Sequence, residues 1–300
     1  MRKFYPKEGV GNLCRLFGKS RQGWYEIKKA NEIEQMQSLI VLELVKNVKR
    51  ELPNIGVRKV YYKIQPDLEK HQIRFGRDKL FNLLGSHFLL VRRRRRKVYT
   101  TDSNHPFYKY PNLILDMDII EPERVWVSDI TYIRVRDAHS YLMLITDAYS
   151  KKIMGYHLSM HIDAKACIKA LNMALSAKEY SNHNLIHHSD RGLQYCSASY
   201  IKILHENDMK ISMTANGDPY ENAIAERVNG ILKVEHNLYQ TFESHREASQ
   251  VVEYEIKKYN QLRPHASCDY LTPEEAHLKK GALPKRWKKY PYKRKDANAE

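Results

Sequence analysis

The sequence predicts an α/β protein, a mixed sheet flanked by helices, preceded by an all-α region of helix-turn-helix type. Three observations carry that expectation. Between residues 10 and 90 apolar side chains recur mostly at helical spacing. At residue 124 the pattern switches to runs rich in Val, Ile, Thr, Tyr and Trp, the composition of strands. From there the elements read βββαβαβα. Three hairpin-linked strands followed by alternating β and α make a mixed sheet with helices on its faces.

Residues 10–29, VGNLCRLFGKSRQGWYEIKK, read as a helix, a turn at Gly18, an N-cap at Ser20 and a second short helix carrying Arg21, Gln22, Trp24 and Tyr25. Residues 32–51 form a further periodic helix. Residues 56–90 hold more helical segments, punctuated by Gly56, Pro66, Gly76 and Gly85. Arg92, Arg93, Arg94, Arg95, Arg96 and Lys97 follow as an unbroken basic run. Six adjacent cations have no place in a core, so they are solvated or follow a phosphate backbone. Residues 1–100 are therefore expected to be a helical DNA-binding region, and the polar, proline-containing stretch 101–123 a linker.

The sheet region opens with RVWVSDITYIRV at 124–135. RDAH turns the chain into YLMLITD (141–147), and KKIMGYHLS (151–159) makes the third strand. Asp163 caps a helix running to 181, with Ala166, Ile168, Leu171, Ala174 and Leu175 at helical spacing. NLIHHSD (184–190) is the fourth strand, then a helix at 197–206, a strand at 210–214, the loop ANGDPY and a helix at 222–238. The sheet domain is drawn at 124–240. Residues 241–300 form a helical extension with a basic tail, KRWKKYPYKRK at 285–295. That tail interleaves cations with Trp287, Tyr290 and Tyr292, which suits a nucleic-acid backbone by charge and stacking.

Composition narrows the partner. The 300 residues are 42% hydrophobic, enough for a real core and against broad disorder. Lys plus Arg number 51 against 35 Asp plus Glu, a formal charge of +16, which favours a polyanion and above all nucleic acid. Cys14, Cys167, Cys196 and Cys268 lie far apart with no Cys-x-x-Cys, arguing against a disulfide framework or a cysteine-rich zinc site. No apolar run is long enough to span a bilayer and residues 1–13 have no signal-peptide core, so a cytosolic protein with no membrane partner is expected.

The element order places three acids suggestively: Asp129 inside the first strand, Asp190 at the end of the fourth, and Glu226 on the last helix of the sheet region. In α/β sheets, strand ends and the adjacent helices are where sites form. Three converging carboxylates repel one another unless cations neutralise them, and hard oxygen donors suit Mg²⁺. Two such ions roughly 3.5–4 Å apart activate an attacking oxygen and stabilise a leaving one, which is phosphodiester chemistry.

Four motifs then stand in order: VWVSDITYI, HHSDRGLQY, PYENAIAERVNGILKVE and YNQLRPHASCDYLTPEEA. Together they resemble the catalytic subunit of insertion sequence three family transposases, strongly over 124–277 and more weakly before it. The acids are separated by 60 and then 35 residues, the second being the family's own spacing. One departure is visible: Val228-Asn229 stands where many relatives carry two aromatics. The resemblance implies a ribonuclease H-like core similar to retroviral integrases, with Asp129, Asp190 and Glu226 as catalytic and metal-binding triad for two Mg²⁺ ions, Mn²⁺ being able to substitute. It implies cleavage at element ends and transfer of the freed 3′-OH into target DNA. It further implies a homo-oligomer on DNA, association with the nucleoid when active, and possible fusion to the product of an upstream frame.

Blander roles compete at each residue. Asp190 before Gly192 would serve as a turn starter, and Glu226 as a solvated helix face. Asp129 is harder to explain that way, since a buried unpaired Asp in a strand is costly. Asp147 falls near Asp129 if the hairpin turns at Ala138, but capping the turn DAYSKK is the favoured role. His187 and His188 face opposite sides of the sheet, one as a core histidine and the other at the border of the site. Lys233 lies two helical turns after Glu226 on the same face. It is expected against DNA, a role the resemblance favours, with Asn229 beside it. Trp126 is assigned to the core, and Arg263 and His265 to a structural or DNA-contact pair. Two rivals remain: a nuclease of this fold that hydrolyses without joining, and a DNA-binding regulator with a vestigial core.

Overall fold

A computed structural model describes residues 7–91, 108–115, 117–136, 138–180, 184–215 and 222–284. The chain divides into two compact units, residues 1–92 and 93–300.

The first unit is helical: α1 (Val10–Leu16), α2 (Arg21–Glu51), α3 (Val57–Lys70) and α4 (Arg77–Ser86). The turn at Gly18 has φ +63°, and Ser20 Oγ accepts the Gly23 amide at 2.9 Å, so the expected turn and cap are present. The second helix is not short. No Gly or Pro interrupts residues 24–52, and α2 runs on for 31 residues through what was expected to be a separate helix. Pro66 likewise lies within α3, whose buried stripe Val60, Ile64 and Leu68 continues across it. Gly56 and Gly76 sit at the N-caps of α3 and α4. The core of this unit comes from Val41, Val45, Leu52, Ile55, Val60, Ile64, Leu80 and Leu84. The basic run Arg92 to Lys97 and the tail 285–295 lie outside the described residues.

The second unit is built on a sheet ordered β3-β2-β1-β4-β5. Its strands are β1 (Val125–Val135), β2 (Ala138–Asp147), β3 (Ile153–Ser159), β4 (Ile186–Ser189) and β5 (Lys210–Met213). β1, β2 and β3 are antiparallel; β4 and β5 run parallel to β1. A two-residue strand β6 (Thr241–Phe242), too short to carry a pattern, pairs with the far end of β1. Helices α5 (Ala164–Ser176) and α6 (Ala198–Glu206) bury Trp126, Met143 and Ile145 on one face, placing Trp126 in the core as expected. Helices α7 (Ala223–Glu235) and α8 (His245–Leu262) cover Ile133, Leu142 and Leu144 on the other. A 3-10 turn and α9 (Pro273–His277) follow.

The described part of the expected linker is packed rather than loose. The Met213 amide of β5 donates to Pro111 O, the Leu113 amide to Ser212 Oγ, and Ile114, Met117 and Ile119 join a small apolar cluster. The edge of β5 thus finds partners for the Met213 amide and the Ser212 hydroxyl. All four cysteines are buried and unpaired with one another. Among the described residues no helix is long and apolar enough to cross a membrane.

Candidate active site

β1 and β4 bring the first two acids together. Their parallel register pairs Val125 with Ile186 and Val127 with His188. Two residues further along each strand come Asp129 and Asp190, on the same face of the sheet because side chains alternate. β4 ends at Ser189, and Asp190 turns the chain: its Oδ1 accepts the Gly192 amide at 3.0 Å. Asp190 therefore starts a turn and also stands beside Asp129. A Cβ on Gly192 would come within 3.0 Å of that same oxygen, so the position favours glycine.

α7 lies over this face. Asn222 at its N-cap donates from Nδ2 to Ser128 O at 3.2 Å, tying the start of the helix to β1. Ala225 packs with Val125 and Val127. Glu226 stands exposed on the first turn of α7, and Asn229 and Lys233 share its face at intervals of three and seven residues. Asn229, expected against DNA, is instead buried on the acid: its Nδ2 donates to Asp129 Oδ2 at 2.5 Å. Lys233 is half-buried, and the Asp129 charge acts on it.

The electrostatics are those of crowded like charges. Burial, and then the charge of Asp190, push the Asp129 carboxyl up to about 7; the Asn229 bond pulls the other way. Burial also raises Asp190, against the bond from Gly192. Burial lowers Lys233, while Asp129 opposes that shift. Among the described residues no three His, Cys, Asp or Glu side chains stand close enough to grip one ion as placed. The donor chemistry nonetheless fits a hard divalent cation, since the set is all carboxylate oxygen and its two inner members destabilise each other's charge.

The other candidates resolve into structural roles. The hairpin registers Trp126 with Asp147 and Asp129 with Leu144, so Asp147 is remote from Asp129 across the pair. It takes the capping role, accepting the Ser150 amide and hydroxyl, each at 2.7 Å. Neither histidine of β4 opens on the site. His187 Nε2 meets Ser128 Oγ at 2.7 Å and Tyr200 OH at 2.9 Å; His188 Nδ1 meets Ser212 Oγ at 2.9 Å. Burial takes His187 down to about 3, so it is a neutral core residue. Arg263 is buried against Glu235, and His265 is buried with Nδ1 2.7 Å from Ser267 Oγ. Sequence reasoning missed Asn222, whose signal, an Asn just ahead of an apolar helical run, was present.

Comparison with known proteins gives concordant matches. The integrase core domain family matches residues 120–219, and a second integrase core domain family matches 207–273. A 31 kDa protein of insertion element IS600 from Shigella sonnei, described as uncharacterized, is 33% identical over 265 residues, 87% of this chain and 96% of that one. The transposase InsF for insertion sequence IS3A from Escherichia coli (strain K12) is 37% identical over 156 residues, 51% of this chain and 54% of the relative. Among solved structures, the HTLV-2 integrase catalytic core domain in complex with magnesium is 18% identical, with TM-score 0.42, over 52% of this chain and 97% of that one.

Proposed function

This chain belongs to the insertion sequence three family of transposases, and from that membership we propose that Asp129, Asp190 and Glu226 form the catalytic centre that cuts element ends and joins them to target DNA. The protein is a transposase of the integrase type, acting in DNA transposition, with the ribonuclease H-like sheet of that class. The observation that supports the assignment is the strand register: β1 and β4 bring Asp129 and Asp190 to neighbouring strand ends, and Glu226, on the first turn of α7, is near enough for its charge to act on Asp129.

Divalent cations, taken as two Mg²⁺ replaceable by Mn²⁺, would be held by these carboxylates and would supply charge neutralisation and activation of an attacking oxygen. The chain's own residues do the rest. Asn229 orients the Asp129 carboxylate through its 2.5 Å bond. Lys233, one helical face along, supplies positive charge for a phosphate of the DNA end. The Gly192 amide holds Asp190 at the turn. The centre performs positioning and electrostatic stabilisation, with no need of a covalent enzyme intermediate. Joining two ends calls for two centres, so the active form is a homo-oligomer on DNA. Fusion to an upstream frame would add end recognition.

A pre-cleaved element end with a free 3′-OH, supplied with target DNA and Mg²⁺, tests the reading against simple hydrolysis. Joined product that is absent with Asp129→Asn is expected. Nicked target without joined product would make the chain a nuclease instead.

A further inference from the structure

α7 carries three of the residues that face the site, yet its far end is held from behind. Glu235 is its last residue. It lies nine positions after Glu226, two and a half turns, so it points to the opposite side of the helix. There it meets Arg263 just beyond α8: Nε donates to Oε2 at 3.0 Å and Nη2 to Oε1 at 2.9 Å. The guanidinium is almost wholly buried, lies 5.8 Å from the centre of the Tyr259 ring, and donates again to Pro264 O at 3.3 Å. The next residue, His236, places Nδ1 2.7 Å from Glu255 of α8. In the turns of α7 before these ties, Val228, Ile231 and Leu232 share an apolar cluster with Val252, Ile256 and Tyr259.

A carboxylate at a helix C-terminus is disfavoured by the partial negative charge of the last carbonyls. A buried arginine costs desolvation unless its donors are met. Each group is thus tolerable chiefly because of the other. Their two-point geometry fixes orientation as well as distance, which a lysine cannot do. Bonding alone does not place Arg263 in the chemistry, because it stands behind α7 and away from Asp129.

We propose that Arg263, through its bidentate bond to Glu235, is a positioning residue that fixes the rotation and depth of α7 and thereby places Glu226, Asn229 and Lys233 over Asp129 and Asp190. The C-terminal extension is then part of the catalytic machinery, not an accessory to it. The inference rests on the carboxylate reading above.

The test compares the full-length wild type, Asp129→Asn, Arg263→Lys, and the double variant Glu235→Gln with Arg263→Gln, which leaves neither charge buried alone. Wild-type activity that Asp129→Asn abolishes secures the carboxylate reading; an active Asp129→Asn would sink that reading whatever Arg263 does. Given that control, both clamp variants should fold and bind the element end as wild type does. They should cleave about 10- to 100-fold more slowly. They should also need more Mg²⁺ for half-maximal rate. In the metal-free protein, amide exchange should rise across 223–235 while β1 and α5 keep their protection. Wild-type rate and Mg²⁺ dependence in a folded variant would overturn the proposal, as would a rate loss that only follows the folded fraction. Two unfolded variants would also overturn it, because the pair would then hold the fold and not the placement of α7.

Discussion

At Asp129 the folded state works against the side chain's charge. A carboxyl raised to about 7 by burial and by Asp190 prefers its proton in the folded state. An unfolded Asp titrates near its ordinary value, so the folded form is favoured at low pH. That advantage is lost as pH rises from about 4 through about 7, to the extent of about 4 kcal/mol at most. The metal-free protein should therefore melt at a lower temperature at pH 8 than at pH 6, and Asp129→Asn should flatten that slope. Melting curves at the two values check it; an unchanged slope in the variant would mean that Asp129 keeps its charge at little cost. Asn229→Ala removes a bond that stabilises the anion, so it should steepen the loss near neutrality. The neighbouring placement of Asp129 and Asp190 was legible, because the strand assignments put both at the same end of the sheet; Glu226 came from its spacing and the family resemblance. The partner of Asn229 was not: periodicity tells which face a residue shares, not which atom on the next element it meets. Asp147 shows the same limit. Moving the hairpin turn from Ala138 to the observed register shifts Asp147 opposite Trp126, and strand composition alone does not locate the turn that sets that register.

Elements were read best where their pattern was long. β1, β2, β3 and α6 lie close to where composition placed them; Asp163 caps α5 as expected, but that helix ends at Ser176 instead of 181. β6 was invisible at two residues, and α2 was divided where nothing in the chain breaks a helix. The contact of β3 with α5 was also hidden. A Cβ on Gly155 would lie 2.2 Å from Ala170 O and 2.6 Å from Ala174 N, so strand and helix approach as backbones. Gly155→Ala should push α5 off the sheet and cost about 1–3 kcal/mol or more. Chemical denaturation measures it, and a loss below about 0.5 kcal/mol would mean that α5 moves aside freely. At α7, Lys233→Glu should weaken binding to element ends more than binding to random duplex. Equal losses in a binding titration would reduce Lys233 to a general surface charge.

At the scale of the molecule, the charge of +16 and the triad make separable claims. Charge governs affinity for any duplex. Replacing Arg93, Arg94 and Arg95 by Ala should lower affinity for all sequences alike and flatten the salt dependence by about 0.9 for each phosphate no longer neutralised. An unchanged slope would place those arginines in solvent. The proposed triad would govern chemistry and not affinity, and Asp190 separates the two most cleanly. Asp190→Asn keeps the size and turn-forming capacity of the side chain while removing its charge. Relief of like-charge crowding leaves the fold as stable as before or slightly more so. The decisive measurement is cleavage and joining of a labelled element end in Mg²⁺ by purified Asp190→Asn, beside its melting curve and its DNA affinity. The predicted result is a folded protein that binds DNA like wild type and yields no detectable cut or joined product, a phenotype shared by Asp129→Asn and Glu226→Gln. Near wild-type cleavage by Asp190→Asn would leave this residue a turn starter and dismantle the catalytic triad.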